Sequence, residues 1–511
     1  MRLNRTANTK RNIIVGEIDR ILGILFPFVV RTLIIHMMGS EYLGLTGLFY
    51  SIIQMLNLAE MGFGSAIVYS MYKPIADGDT RSINVLLKYY ARIYRRVGYV
   101  TGVGGLIVMF FLPYMVKDDA PKDINVYLLY LIYLFSSVIN CFLYPNRRAL
   151  LSAFQREDVT GGVHIITQSV MYILQIISII LTKDYYLYAL TIPVTSIMFS
   201  IFCKLRTDKE LPEYKEEGDL DIEQRREIKK QVTGLMIKKV AMYSRNAFDS
   251  IFITAYLGLE INAIYGNYYY VVDAVAMMMA VMKTAMAGGV GNSIAMDSKE
   301  KNLKDMYSIN FLYMFISGWC AIIMVCLYQP FMVLWAGEKL LLPLSYSIIF
   351  ALYFYLLKMS DIRALYSESA GIWWQMRYIS LAEGVVNIIL NWVLINLMGL
   401  TGIILASMIS YFTFNFVGRA VMLYKHYFDN GKLWQYFGKH ALYLFVTAVI
   451  GGVTFLIVSQ ISLDGIPGFL VKGVVSTIIP LVLYMAAYSW TKDMKQASPF
   501  IKKIFSRKAK D

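Results

Sequence analysis

Apolar runs of membrane length recur along almost the whole chain, and they decide the fold class before any motif is read. A run of about 18 to 25 such residues crosses a hydrocarbon core of about 30 Å as a helix. In that solvent each backbone amide must be satisfied inside its own segment, which a helix achieves and an isolated strand does not. We read spans over 18–38, 42–72, 88–116, 124–146, 160–182 and 185–203, then 236–258, 262–292, 306–335, 342–367, 376–398, 400–424, 437–461 and 466–490. The expected fold is all-α: a polytopic membrane protein with about 14 transmembrane helices. A β-barrel would show short alternating segments instead. With 57% hydrophobic and only 16% charged residues, a 511-residue chain could not cover a soluble surface.

The formal net charge of +14 could point to a nucleic-acid partner, but its placement argues against one. Odd-numbered connections carry about five of the 49 Lys and Arg residues: Lys117, Lys122, Lys183, Lys339 and Lys472. The termini and even-numbered connections carry about 40, among them Arg81, Lys88, Arg92, Arg95 and Arg96. Basic residues favour the cytoplasmic side, so both termini are expected in the cytoplasm, with some attraction to anionic lipid headgroups. One span missed or added would scramble this alternation. The basic N-terminus is expected to be retained, because no small-residue cleavage site follows the first span.

One long polar interruption, Lys204 to Lys239, divides the chain. An even number of spans precedes it, so the second half starts in the orientation of the first. A short helix is expected over 221–232, capped by Asp219 or Asp221. The halves also share an order of features at a shift of about 219 residues. Residues 41–50 (EYLGLTGLFY) lie over 260–269 (EINAIYGNYY), and the FLPYM around Pro113 matches the YQPFM around Pro330. Repeats starting from one side are related by an axis along the membrane normal. The expected domains are an N-terminal six-helix lobe (1–203), a cytoplasmic connector (204–235), a C-terminal six-helix lobe (236–426), two additional helices (427–490) and a basic tail (491–511).

Ionisable groups at membrane depth cost several kcal/mol unless paired or wetted, so each marks a candidate site. Arg31 lies deep in the first span; Gln54, Asn57 and Glu60 share a face of the second. Arg245 and Asp249 are spaced to pair on the seventh, and the eighth carries Asp273 and Lys283. Glu383, Asn387 and Asn391 form a stripe on the eleventh, which is either interhelical glue or a substrate contact. Arg20, Lys358, Arg363 and Glu368 are expected to snorkel to the inner interface. The last two spans are nearly free of charge and read as peripheral. A wet, mixed-charge cavity is expected, in which Arg31, Arg245 and Lys283 attract an anionic group such as a diphosphate.

Other chemistries find little support. Cys141, Cys203, Cys320 and Cys326 form no Cys-x-x-Cys pair, and the histidines have no ligand spacing, so no metal or other cofactor is expected. There is no Walker A sequence to bind ATP. No catalytic triad or paired-acid motif stands out, and no connection expected outside is long enough to hold a polymer-building site. The chain is not expected to be an enzyme.

The stretches GSEYLGLTGLF and LAEMGFGSAIVYSMYKPIADGD around the second span, YPNRRALLSAFQRED after the fourth and YLGLEINAIYGNYY opening the eighth resemble the polysaccharide flippases of bacterial surface-glycan pathways. That family belongs to the superfamily that also holds multidrug extruders and the peptidoglycan-precursor flippase. The resemblance implies two six-helix bundles around a central cavity, plus two extra helices. It implies alternating access that carries an undecaprenyl-diphosphate-linked oligosaccharide from the inner to the outer leaflet of the bacterial plasma membrane. The pathway's polymerase and glycosyltransferases are then the expected partners. By position, Arg31 and Arg245 are the implied diphosphate contacts, then Arg147 and Arg148; Glu60, Asp249, Asp273 and Glu383 are the candidates for coupling. The rival readings are a cation-coupled drug exporter, which would favour acidic cavity groups, and a membrane-embedded glycan polymerase or ligase.

Overall fold

The structure, a computed structural model, describes residues 5–57, 63–116, 120–226, 228, 247–372, 375–428 and 432–498. It is helical, with no strand among the described residues. Two compact units divide it, Met1–Ala263 and Ile264–Asp511.

In the first unit, α1 (Arg5–Met37) packs along α8 (Glu157–Leu181), and α8 packs along α9 (Tyr185–Glu210). The second expected span is described as α2 (Ser40–Leu56) and α3 (Phe63–Asp77). Next come α4 (Thr80–Met109), short α5 (Leu112–Val116), α6 (Val126–Phe142) and α7 (Pro145–Ala153). Side-chain caps start several of these helices. Asp79 accepts from the Ser82 amide, Asn125 from Tyr127 and Leu128, and Asp184 from Tyr186 and Leu187.

The fourth span departs from the expected single run. Pro145 disfavours the α conformation of the residue before it. Tyr144 takes the left-handed region (φ 53°), and α7 leaves α6 at 57°. This bend returns Arg147 and Arg148 towards the other helices of the unit.

The described part of span seven is α10 (Ala247–Leu257), followed by α11 (Leu259–Met296). Gly44 of α2 lies so close to this corner that a Cβ there would sit 2.2 Å from the Leu259 carbonyl oxygen. Asn262 Nδ2 donates to the Gly44 carbonyl (3.0 Å), and Ser250 Oγ donates to Asn262 Oδ1 (2.8 Å). The two stretches matched as a repeat therefore touch.

The second unit contains α12 (Lys299–Ala336), which is 38 residues long like α11, so both extend beyond a bilayer core. Then follow α13 (Leu344–Met359), α14 (Asp361–Ser369), α15 (Arg377–Met398) and α16 (Leu400–Ser410). The chain continues from α16 through a π-helical stretch, Tyr411–Gly418, into α17 (Arg419–Leu423) and a second π turn ending at Phe428. Finally α18 (Leu433–Ser459) and α19 (Gly465–Tyr488) lie against α12. Their outer faces expose Phe445, Leu456, Leu470, Val474 and Val482, as lipid-facing surfaces do. Their inner seam is polar: Tyr484 donates to Thr447 (2.6 Å), Trp319 to the Thr477 carbonyl (2.9 Å), and the amide of Asn310 meets His440 (3.1 Å).

The connector after α9 is pinned to the first unit. Asp219 pairs with Arg92 (2.6 Å) and Lys88 (3.5 Å), Glu216 accepts from Asn146, and the Tyr214 carbonyl accepts from Arg147. The Arg92 hydrogen bond holds the Asp219 carboxyl below the usual carboxylate range. Asp221 is the residue that caps the short helix, accepting from the Gln224 amide (2.7 Å). The helix is described over 222–226; the expected continuation to 232 lies outside the described residues apart from residue 228.

Candidate functional site

The first unit holds an open cavity of about 600 Å³ between α2, α6, α7, α8 and α9. Its wall is built from neutral polar groups and aromatic faces. Gln54 and Asn57 on α2 supply amides, joined by Asn140 of α6 and Gln168 of α8. Hydroxyls come from Ser136 and Ser137 on α6 and from Thr167, Thr195 and Ser196. Tyr50, Tyr133, Tyr172 and Phe199 contribute rings.

These groups hold one another in place. Ser137 donates to Asn57 Oδ1 (2.8 Å), the Ser136 and Ser196 hydroxyls are 3.1 Å apart, and Asn140 reaches Ser196 (3.4 Å). Thr167 and Thr195 bond back to the carbonyls of Val163 and Thr191 within their own helices.

Two lining residues are basic. Arg148, brought in by the bend at Pro145, donates to the Asn140 carbonyl (3.2 Å) and lies 5.5 Å over the Phe199 ring. His164 meets the same ring edge-on at 5.6 Å and places Nδ1 2.7 Å from Asp19 of α1. Among the described residues no Asp or Glu lines the cavity. Arg31 is half-buried on α1, and its charge reaches the Tyr188 hydroxyl of α9. Arg147, adjacent in sequence to Arg148, turns instead to the connector, pairing with Asp208 (3.2 Å).

In the second unit the polar groups form packed networks. Asp361 binds Lys358 (2.9 Å), accepts from Tyr313 (2.7 Å) and lies 3.6 Å from Lys283. Asp273 is within reach of the Lys358 charge. Arg363 donates to Asn415 (2.9 Å), whose amide reaches Glu383 (3.4 Å); Arg419 binds Glu383 (3.1 Å) and Ser380 (2.9 Å). Asn387 donates to Ser407 and Ser410 across to α16, the interhelical alternative for that residue, and Asn391 is fully buried beside it on α15.

The expectation that Lys358 and Arg363 snorkel is corrected by this arrangement. Arg363 is 1% exposed and Lys358 7%: Lys358 pairs with the Asp361 carboxylate and Arg363 donates to the Asn415 amide inside the unit, where an aqueous interface was expected. Arg20 does lie at the surface, paired with Glu17 (3.1 Å). Asp249 is buried on α10. Arg245 and Glu60 lie outside the described residues. The sequence reading missed His164, Asn140, Gln168 and the serines and threonines of the cavity, which come from helices with no visible polar stripe. Among the described residues no cluster of His, Cys, Asp and Glu could hold a metal ion.

No family model and no curated protein matches the sequence. Solved structures do match its fold. The lipid II flippase MurJ in its inward closed conformation aligns over 94% of this chain and 98% of its own, with a TM-score of 0.65 at 14% identity. A multidrug resistance MATE family transporter of the MOP superfamily, facing inward, aligns over 82% of this chain and 99% of its own (TM-score 0.64, 13% identity). A MOP superfamily transporter from Pyrococcus furiosus aligns over 82% and 96% (TM-score 0.53, 12% identity). The chain is a multi-pass membrane protein with the fold of the multidrug/oligosaccharidyl-lipid/polysaccharide exporter (MOP) superfamily, flippases and exporters alike.

Proposed function

We propose that this protein is a flippase for a polyprenyl-diphosphate-linked oligosaccharide, undecaprenyl in a bacterial plasma membrane, and that it serves surface-polysaccharide synthesis. The observation that carries the reading is the lining of the first unit's cavity. Amides, hydroxyls and ring faces suit sugar hydroxyls and sugar faces, Arg148 supplies a cation, and no carboxylate lines the wall among the described residues. Such a wall favours a neutral or anionic headgroup over a cationic drug. The headgroup would enter the cavity while the prenyl tail stays in the bilayer, which avoids taking sugar hydroxyls through hydrocarbon. Alternating exposure to the two sides of the membrane then completes transfer without chemical change.

In this scheme Arg31 and Arg148 take the diphosphate, with Arg245 and Lys283 as further cationic candidates, and Asn57 takes sugar. Coupling falls to the acidic candidates Glu60, Asp249, Asp273 and Glu383. A polymerase and glycosyltransferases of the same pathway would supply and consume the substrate.

Reconstitution tests the proposal. Proteoliposomes carrying a fluorescent polyprenyl-diphosphate oligosaccharide should expose it to an impermeant lectin only when the protein is present. No lectin access, together with efflux of a cationic dye by the same vesicles, would replace the flippase reading with the drug-exporter one.

A further inference from the structure

The second unit holds an open pocket of about 460 Å³ that none of the roles above uses. It lies where α12 and α18 begin, beside the end of the second π turn at Phe428 and a short helix over 492–498 that follows α19. Its floor is apolar and aromatic: Leu303 is partly buried, and Tyr307 and Phe428 are buried. Its rim carries three exposed lysines, Lys299 and Lys304 from α12 and Lys432 from the opposite wall. Among the described residues that line it, one carboxylate, Glu300, stands against them.

The rim is held from within. Tyr307 donates to the Lys432 carbonyl (3.1 Å), and its hydroxyl lies 2.9 Å from that of Tyr424, so the start of α18 is fixed to α12. Lys299 Nζ stands 5.9 Å over the Tyr427 ring, whose hydroxyl accepts from Asn302 (2.9 Å). Lys439 and Tyr443 of α18 both bind Asp493, which ties the 492–498 helix to α18 and engages that carboxylate away from the rim.

Two tryptophans mark the depth at which the pocket lies. Trp434, in the first turn of α18, and Trp490, just beyond α19, are both exposed. Exposed tryptophans concentrate at the level of the lipid headgroups. From Trp434 an exposed apolar stripe runs along α18 through Leu442, Phe445, Val449 and Val453. Gln435, on the pocket wall, follows Trp434 in sequence and so lies about 100° from it around the helix. The pocket therefore opens beside the lipid-facing surface. A soluble anion would meet the lysines alone there, whereas a phospholipid also has chains to lay against the stripe.

We propose that this pocket binds the phosphate of an anionic phospholipid, with Lys299, Lys304 and Lys432 as its contacts and the acyl chains along α18. Basic pockets between membrane helices take anionic headgroups in this way. The bound lipid joins α12 to α18 and to the helix beyond α19, so the two last spans are held to the unit by lipid as well as by protein. The site uses no residue of the flippase scheme and stands or falls separately from it.

The test measures binding of spin-labelled phosphatidylglycerol to the full-length protein in phosphatidylcholine nanodiscs, as the motionally restricted fraction, beside equally labelled phosphatidylcholine. Each lysine near the surface is worth about five-fold in affinity for an anionic lipid. Lys299→Gln, Lys304→Gln and Lys432→Gln should each lower the preference for phosphatidylglycerol by about that factor, and high salt should weaken it in the wild type. Gln435→Trp, at an exposed position, keeps every lysine but fills the pocket and should abolish the preference. Arg95→Gln with Arg96→Gln removes an exposed basic pair from α4 of the first unit and should leave the preference unchanged. An equal loss in that α4 pair, or a preference that survives Gln435→Trp, would mean general surface charge and overturns the pocket. Displacement of the labelled lipid by chain-free glycerophosphoglycerol as readily as by unlabelled phosphatidylglycerol would make this a soluble-anion site. Displacement by a short-prenyl diphosphate ahead of phosphatidylglycerol would assign it to the transported lipid. Either result overturns the phospholipid assignment.

Discussion

Gly44→Ala is the smallest change this structure should not tolerate. The added methyl would lie 2.2 Å from the Leu259 carbonyl oxygen, so α2 and the turn into α11 must part by about 1 Å to restore contact distance. The Asn262–Gly44 hydrogen bond starts at 3.0 Å, and that displacement stretches it beyond bonding range. Overpacking of this kind costs about 1–3 kcal/mol. Loss of an interhelical hydrogen bond in a bilayer adds about 0.6–2 kcal/mol. The expected destabilisation is about 2–5 kcal/mol, read from unfolding in mixed micelles of increasing SDS fraction. The bond can be separated from the clash by a cycle with Asn262→Ala. In the wild-type background that substitution should cost the bond; in the Gly44→Ala background it should cost little, the bond being broken already. If Gly44→Ala unfolds within about 0.5 kcal/mol of the wild type, the close approach does not hold the corner together and the reasoning fails.

Asp361→Asn should destabilise the second unit by about 3–5 kcal/mol in the same assay, because it leaves the buried Lys358 ammonium without its counter-ion. Adding Lys358→Met should recover most of that loss; additive costs would deny the pairing. The connector should respond to acid and to salt. Asp219 titrates below its ordinary value of 3.8 in the folded protein, so its pairing contributes above that value and is lost as pH falls beneath it through the lowered folded pKa. A spin label at Glu217→Cys should therefore be held at pH 6 and mobilised by strong acid, and also by about 1 M salt, since the pair is exposed and screened. Mobility independent of both would remove Lys88 and Arg92 as the anchor.

The spans were legible because a membrane helix carries its signal within itself. Length, apolarity and the charge of the flanking connections need no knowledge of a partner. Partners are what a single sequence conceals. Lys358 and Asp361 are three residues apart and their pairing could be read, but Arg363 finds Asn415 some fifty residues on, in a segment with no carboxylate to mark it as a partner. Snorkelling was then the natural expectation for an arginine near a helix end, and the wrong one. The cavity shows the same division. Gln54 and Asn57 share a visible helical face, whereas Thr167 and Thr195 look like ordinary serine and threonine positions that bond to their own backbone. His164 carried no metal spacing, and the carboxylate it meets sits on a helix some 145 residues earlier.

The π-helical stretch Tyr411–Gly418 has a consequence for how this region tolerates insertion and deletion. A π turn accommodates about one residue more than an α turn, and each residue advances an α-helix by roughly 100°. Removing a single residue from the stretch would let the helix relax to ordinary winding and leave what lies beyond it near its present orientation, whereas the same deletion in the α winding of α16 would swing it by about that angle. After a deletion in α16, Arg419 would leave Glu383 and Ser380, and the glutamate, 4% exposed, would remain buried without its cation. Two deletions a few residues apart, alike to hydropathy, would therefore differ sharply in cost: tolerated in the π stretch, disruptive in α16.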